Sequence, residues 1–495
     1  MAATSATPST EAAASLSGQT LACGLLLGFM ADRLWADYGP APLTLLLLFG
    51  TFCGCALWLA RSGGSRVLTA QVLWSTVAMM CIGMMLLRDT EILNLLMLLS
   101  LPTTIALFLL QRSGLGLQTS EPHHALTVAS LLFASMIVRP LSLVRSLSLQ
   151  EQVDHAGVRR ALLGTLIALP LLILFWQLFM SADAAFERWA LQLQWFSPTL
   201  PWHVFSVLVL GWIASGVMAL AWQPVAADRN RFRVTLGATE ATIVLAALSA
   251  LFVLFAGFQL ANLFSSPATN VARSGLSIAE FARHGFFQLM GITPLVLGVL
   301  ALLSACATQL WHRRLGALLL VCVAIVMASS VQRIDYYLDS YGLTVDRIVA
   351  CAILLWLALC IVAFAATVLR QHCGGFLALA ASMAVAICLI LALLNPAAIA
   401  VHTNVALGRS DQRPLDLSYL LALGSDAVPA LIDELPSLTP SDQCTVATAL
   451  IATWWDPMRY AAPEQRDWRN WNASPRLASK AVHTNASMLQ QACPP

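Results

Sequence analysis

The sequence predicts an all-α polytopic membrane protein, with about eleven spans, one short re-entrant or interfacial helix and a small helical extracytoplasmic C-terminal domain. Three observations carry this. The 495 residues hold only 27 Lys and Arg and 25 Asp and Glu, or 11% charged, where a soluble domain has about 25%. The apolar stretches are continuous runs rich in Leu and Ala, not segments alternating every second residue, which excludes a β-barrel. After Asn395-Pro396 the chain changes to the mixed composition of a water-soluble domain.

A spanning helix needs roughly 20 mostly apolar residues. The runs of that length are 17–35, 41–60, 67–87, 91–110, 161–180, 201–222, 236–264, 286–307, 315–331, 345–369 and 374–395. Four regions follow: a disordered cytoplasmic tail over 1–16, amino-terminal membrane helices with a cytoplasmic loop over 17–160, a second membrane core over 161–395, and a soluble helical domain over 396–495. The first residues lack the positive charge that opens a signal peptide.

Lys and Arg concentrate in cytoplasmic loops. Arg61 and Arg66, Arg112, Arg139 to Arg160, Arg229 to Arg233, Arg313 with Arg314, and Arg370 then lie inside. Arg88, Asp89 and Glu91 form a short outer turn, and 181–200, 265–285 and 332–344 face outward. This order requires that 125–138 not cross. Its fourteen residues suit a re-entrant or interfacial helix, ended at Arg139-Pro140. The amino terminus is then inside and the C-terminal domain outside.

Two outer segments carry the polar chemistry. In 265–285, Ser277 and Glu280 have capping-box spacing, so a helix starts there. It reads either as an amphipathic helix resting in the headgroups or as a binding collar in which Arg273 or Arg283 meets an anion. In 332–344, three of the six Tyr fall within six residues (Tyr336, Tyr337, Tyr341), and Asp335 and Asp339 share a helical face. Arg333 and Arg347 flank them, and Gly342 breaks the helix so that Thr344 caps the next. The two carboxylates belong either to a salt-linked joint or to a substrate or ion site. Gln259 and Asn262 lie near the outer end of their span and would line any path inward.

No nucleophile, metal-ligand triad or cofactor motif stands beside these residues, so no catalytic residue, metal or cofactor is assigned. The near-neutral formal charge of +2 implies no nucleic-acid partner. Cys53, Cys55, Cys351 and Cys360 read as small buried hydrophobes. The only cysteines of the C-terminal domain, Cys444 and Cys493, are expected to form a disulfide if that domain lies in an oxidising space. There, Leu415 to Leu423, Ala427 to Leu435 and Pro440 to Trp455 are helical patterns; Ser425 or Asp426 would cap the second, and Thr439 the third.

Three stretches resemble the bacterial integral-membrane family called domain of unknown function 4173, related to the 4153 group. The first is Glu280-Phe281-Ala282-Arg283-His284-Gly285-Phe286-Phe287-Gln288-Leu289. The second is Arg333-Ile334-Asp335-Tyr336-Tyr337-Leu338-Asp339-Ser340-Tyr341-Gly342-Leu343-Thr344-Val345-Asp346-Arg347. The third joins Asn395-Pro396, Asn404, Leu415-Asp416, Tyr419-Leu420 and Ser425 to Leu431. The resemblance implies location in a bacterial inner membrane and no particular activity.

These features point first to a non-enzymatic membrane protein with an outer polar vestibule of Arg273, Glu280, Arg283, Asp335, Asp339, Tyr341 and Arg347. It would bind a ligand or partner, in envelope sensing or assembly. The expected partners are membrane lipids and an envelope protein or lipid-linked ligand. A transporter of a small or lipidic solute, or an envelope enzyme acting on a lipid-linked substrate, are the alternatives.

Overall fold

Helix is the only regular structure among the described residues of the computed structural model, which are 10–35, 41–63, 69–112, 122–147, 200–222, 238–265, 286–304, 310–368, 375–411, 415–456 and 468–493. The helices are α1 (Thr10–Trp35), α2 (Pro42–Ser62), α3 (Thr69–Leu87), α4 (Glu91–Arg112), α5 (Pro122–Leu147), α6 (Leu200–Trp222), α7 (Ala238–Leu263), α8 (Phe286–Ser304) and α9 (Leu310–Tyr341). They continue with α10 (Val345–Ala366), α11 (Phe376–Leu394), α12 (Pro396–Asp411), α13 (Leu417–Ala422), α14 (Val428–Glu434), α15 (Pro440–Trp454), α16 (Ala473–Thr484) and α17 (Ala486–Gln491). Seven of these, α1, α2, α6, α7, α9, α10 and α11, are long and apolar enough to cross a membrane. Shorter apolar helices cover Val72–Leu87, Glu91–Leu107 and Gly291–Leu303. The protein is therefore an all-helical, multi-pass membrane protein. The span expected at 161–180 lies outside the described residues.

The sequence expectations differ from the structure at four places. Helix α1 begins at Thr10, inside the tail expected to be disordered, because Glu11 and the alanines after it are strong helix formers. Helix α5 runs through Pro140 instead of ending there. A proline ring pushes away the carbonyls one turn back, and Trp212 Nε1 donates to one of them, Ile137 O, at 3.0 Å. Helix α9 continues ten residues past the expected end of its span, so the segment with Asp335 and the three Tyr is its last turns. Thr344 occupies the N-cap of α10 without a side-chain capping bond.

The chain packs as two compact units. The first takes its described residues mainly from 1–75 and 128–227, the second mainly from 76–111 and 228–495. In the first unit α1 and α6 run antiparallel along a seam of small residues. Gly24 and Gly28 face Gly211 and Ser215 so closely that a Cβ on Gly24 would lie 2.6 Å from Gly211 O, and one on Gly28 2.6 Å from Gly211 N. Such small-residue spacing lets helices in lipid approach, where burial against water supplies no drive. Polar pairs close both ends. Trp222 Nε1 donates to Thr20 Oγ1 at 2.9 Å, and His203 Nδ1 lies 2.9 and 3.1 Å from the carboxylate oxygens of Asp32.

In the second unit α7 and α9 run parallel, joined in one register. Thr242 meets His312 Nε2 at 2.9 Å, Ser329 donates to Gln259 Oε1 at 2.7 Å, and Gln332 donates to Leu263 O at 2.9 Å. The C-terminal helices form a core of their own around Val401, Leu420, Leu431, Val446, Leu450, Ala478 and Val482. Thr439 caps α15 as expected, accepting from Asp442 N, with Pro440 in its first turn. A Cys444–Cys493 disulfide ties the end of the chain to α15. Cys53, Cys55, Cys351 and Cys360 are free.

Candidate functional site

The polar chemistry of the second unit gathers where the C-terminal helices meet the turns between membrane helices. Its centre is Asp426, 3% exposed. Asp426 Oδ2 accepts from the backbone N–H of Asp89 at 2.8 Å, that of Thr90 at 3.0 Å, and the Thr90 hydroxyl at 2.7 Å. A helix leaves its first N–H groups without partners inside itself, and here a residue more than three hundred positions away supplies an acceptor at the start of α4. Asp426 Oδ1 accepts from Ser474 Oγ at 2.6 Å and lies 4.0 Å from Arg88 Nη1. Sequence reasoning offered Ser425 or Asp426 as the cap of α14, but the three-residue 3-10 turn at Ser425–Ala427 points the Asp426 carboxylate at α4 instead.

The neighbours complete the joint. Arg88 donates through Nε to Ala392 O at 2.8 Å and through Nη2 to Leu393 O at 3.2 Å, satisfying the last carbonyls of α11. Asn472 does the same for α3, its amide donating to Met85 O at 3.1 Å and Arg88 O at 2.8 Å while its oxygen caps α16. Asn395, in the left-handed conformation at φ 51°, turns α11 into α12 and donates to Asp426 O at 2.9 Å. Ser425 Oγ lies 3.0 Å from Asp89 Oδ2. Asp89 is raised from its ordinary pKa by desolvation first, with the charges of Asp426 and Glu91 adding and the Ser425 hydroxyl opposing.

A second joint explains the Tyr341-Gly342-Leu343-Thr344 run. Gly342 has φ 74°, and the Asn404 side chain grips the next residue at both ends, accepting from Leu343 N at 2.8 Å and donating to Leu343 O at 2.7 Å. A Cβ on Gly342 would lie 2.5 Å from Asn404 Oδ1, so glycine is required by both backbone and space. Val345 N donates to Tyr419 Oη at 2.9 Å, and Arg347 donates back to Gly342 O. Burial raises the Tyr419 phenol above its ordinary pKa.

Of the residues expected to form the vestibule, Arg347 belongs to this joint. Asp335 is exposed on α9. Gln259 is 4% exposed and bonded to Ser329. Arg273, Glu280 and Arg283 lie outside the described residues, as do the side chains of Asn262, Asp339 and Tyr341. No group of three potential metal ligands occurs among the described residues.

Below the joints lies a cavity of about 340 Å³ between α4, α10 and α11. Leu96, Ser100, Thr103, Ala352, Trp356, Ala384, Cys388 and Leu391 form most of its wall, and Leu99, 57% exposed, stands at its mouth. The hydroxyls of Ser100 and Thr103 bond to carbonyls of their own helix, and Trp356 Nε1 donates to Ala380 O at 2.9 Å. The wall therefore presents hydrocarbon. Nothing in the residue pattern marks this cavity, because it is a gap between three ordinary apolar faces.

Residues 74–434 match the family described as Domain of unknown function (DUF4153), the related group named above and not the 4173 family itself. No curated protein and no solved structure matches the chain. The matched stretch includes Arg88 to Thr90, Gly342 to Arg347, Asn395, Asn404, Tyr419 and Asp426, the residues of both joints except the two contributed by Asn472 and Ser474.

Proposed function

Since the chain belongs to the DUF4153 family, whose description assigns no activity, we propose from its geometry that it binds a lipidic ligand in the α4–α10–α11 cavity. The C-terminal domain, clamped over that bundle, reports occupancy to the cell envelope. The cavity is the observation that carries this. Its volume falls within the range of ligand sites, and its polar atoms already have partners, so hydrocarbon fits and a polar solute does not. The domain is held to the same three helices through Thr90 of the α4 entry, Val345 of the α10 entry and Asn395 after α11. Widening the cavity would thus load the joints directly. The transport alternative loses its expected inner lining at Gln259, which is occupied by Ser329.

Chain parity supports the eleven-span reading. The 88–90 turn and the α11 terminus are bonded together, so an even number of crossings must separate them. Helices α4, α6, α7, α8, α9, α10 and α11 with the expected span at 161–180 satisfy this, and a crossing by α5 would break it. The Cys444–Cys493 bridge favours an oxidising compartment for the C-terminal domain, which in a bacterium is the outer side of the inner membrane.

The test is native mass spectrometry of protein released from mixed-lipid nanodiscs. One retained phospholipid is expected, lost in Ala352→Trp and Ala384→Phe and kept in a Trp substitution at exposed Leu355. Equal retention in all of them overturns the reading.

A further inference from the structure

The geometry points to a headgroup-level anchor at the start of α16, in which Trp468, Trp471, Arg476 and Leu477 bind anionic phospholipid. The depth of this segment is fixed by Asn472, whose amide bonds the carbonyls that end apolar α3. With α3 taken as the span read from the sequence at 67–87, its end is the membrane–water boundary, and the residues beside Asn472 are placed there. There the chain places two indoles, each with a guanidinium against it: Arg469 Cζ stands 6.0 Å from the Trp468 ring and Arg476 Cζ 5.3 Å from the Trp471 ring. Trp468 is 54% exposed and Leu477 55%, although nothing in the core of the domain requires either to face outward.

Indoles concentrate where one side of the ring is apolar and the other wet, and a guanidinium binds phosphate through paired donors. The charged side chains of α16 itself are all basic. Arg476 and Lys480 are exposed on the face of α16 opposite its buried Ser474, Ala478 and Val482. Among the described residues the acids nearby are Asp426, turned into the joint, Asp89, bonded to Ser425 there, and the exposed Glu91 and Asp456. A cationic, indole-bearing patch held at headgroup depth has anionic lipid as its complementary partner. This rests on residues separate from the α4–α10–α11 cavity and stands or falls apart from it.

The full chain carrying a photo-crosslinking p-benzoylphenylalanine at position 477 is placed in nanodiscs of equal phosphatidylglycerol and phosphatidylcholine. Adducts are identified by mass spectrometry. At least fivefold enrichment of phosphatidylglycerol is expected, falling towards parity in Arg476→Gln and, less steeply, in Lys480→Gln. Retention of the Cys444–Cys493 bridge confirms that each variant is folded. Equal labelling of the two lipids in the unsubstituted background overturns the anionic preference. Labelling of protein or water alone overturns the anchor.

Discussion

The imidazole of His203 and the carboxylate of Asp32 meet at 2.9 Å and close one end of the α1–α6 seam, with the Asp32 side chain 2% exposed and that of His203 26%. An ionisable pair within membrane helices is costly to desolvate, and its halves are unequal here. His203→Ala strands a buried carboxylate and should cost about 3 kcal/mol or more. Asp32→Ala leaves an imidazole whose side chain is 26% exposed and can find water instead, and should cost about 1–2 kcal/mol. Thermal unfolding in detergent gives the order directly, and a larger loss in Asp32→Ala would contradict it.

Along the same seam, Gly28→Ala should cost about 1–3 kcal/mol, because the added methyl meets backbone rather than a movable side chain. Gly54→Ala, with nothing within 4 Å of the new Cβ, should be neutral or stabilising by up to about 1 kcal/mol. The same unfolding measurement compares them. Equal effects at the two positions would argue that α1 and α6 do not pack on glycine.

Removing the carboxylate at the first joint leaves two backbone N–H groups and two hydroxyls without their acceptor. Asp426→Ala should therefore cost about 3 kcal/mol or more, and Asp426→Asn, which keeps one acceptor oxygen, roughly half as much. Limited proteolysis between α12 and α13 should accelerate in the same order. Unchanged cleavage would mean that Asp426 does not hold the domain.

Asp89 gives that joint a pH dependence of opposite sign to most carboxylates. Its folded pKa is raised, so the folded state binds the proton more tightly than the unfolded chain. Stability is gained as pH falls through the raised folded value and is complete below the unfolded one, and the ionised form is penalised at neutral pH. The effect is small because Asp89 keeps much of its contact with water. Asp89→Asn should flatten the part of the stability profile that begins at the ordinary Asp range and extends above it; an unaltered slope would assign it elsewhere. Glu434 acts in the other direction. Its pKa is lowered, first by the His402 hydrogen bond, so its contribution is lost below the ordinary Glu range.

Gly342 and Asn404 should behave as one unit. Gly342→Ala adds a clash and a strained φ, for about 2 kcal/mol, and Asn404→Ala removes two bonds to Leu343, for a similar loss. The double variant should cost less than the two together, since the clash needs Asn404. Strict additivity in a double-mutant cycle would remove the proposed link.

The apolar helices were legible because a helix in lipid must write its length in apolar residues, and the ends of α4, α6, α8 and α11 fall within three residues of the sequence reading. The Thr439 cap and the Cys444–Cys493 pairing were legible for local reasons: a cap lies beside its helix, and two thiols allow one bridge. The joints were not. Asp426 looks like a cap for its own neighbour, and only tertiary structure aims it at Asp89 and Thr90. Asp32 and His203 were not singled out, because nothing local links two residues 171 positions apart. A signal did exist, in Gly24, Gly28 and Asp32 spaced by four and in His203, Val207, Gly211 and Ser215 spaced likewise, two matching stripes.

The reach of Asn472 and Asp426 also sets an order of assembly. The turn between α3 and α4 leaves the ribosome 336 residues before its main acceptor and 384 before the amide that caps α3. At about 5–20 residues per second, that is a wait of roughly 20–80 s. During it, the ends of two apolar helices have only water or headgroups for company, until Asp426 and Asn472 arrive to finish the turn. A chain that stops early would therefore leave an inserted but unlatched bundle, whose exposed turn marks it as incomplete for proteases that survey the membrane.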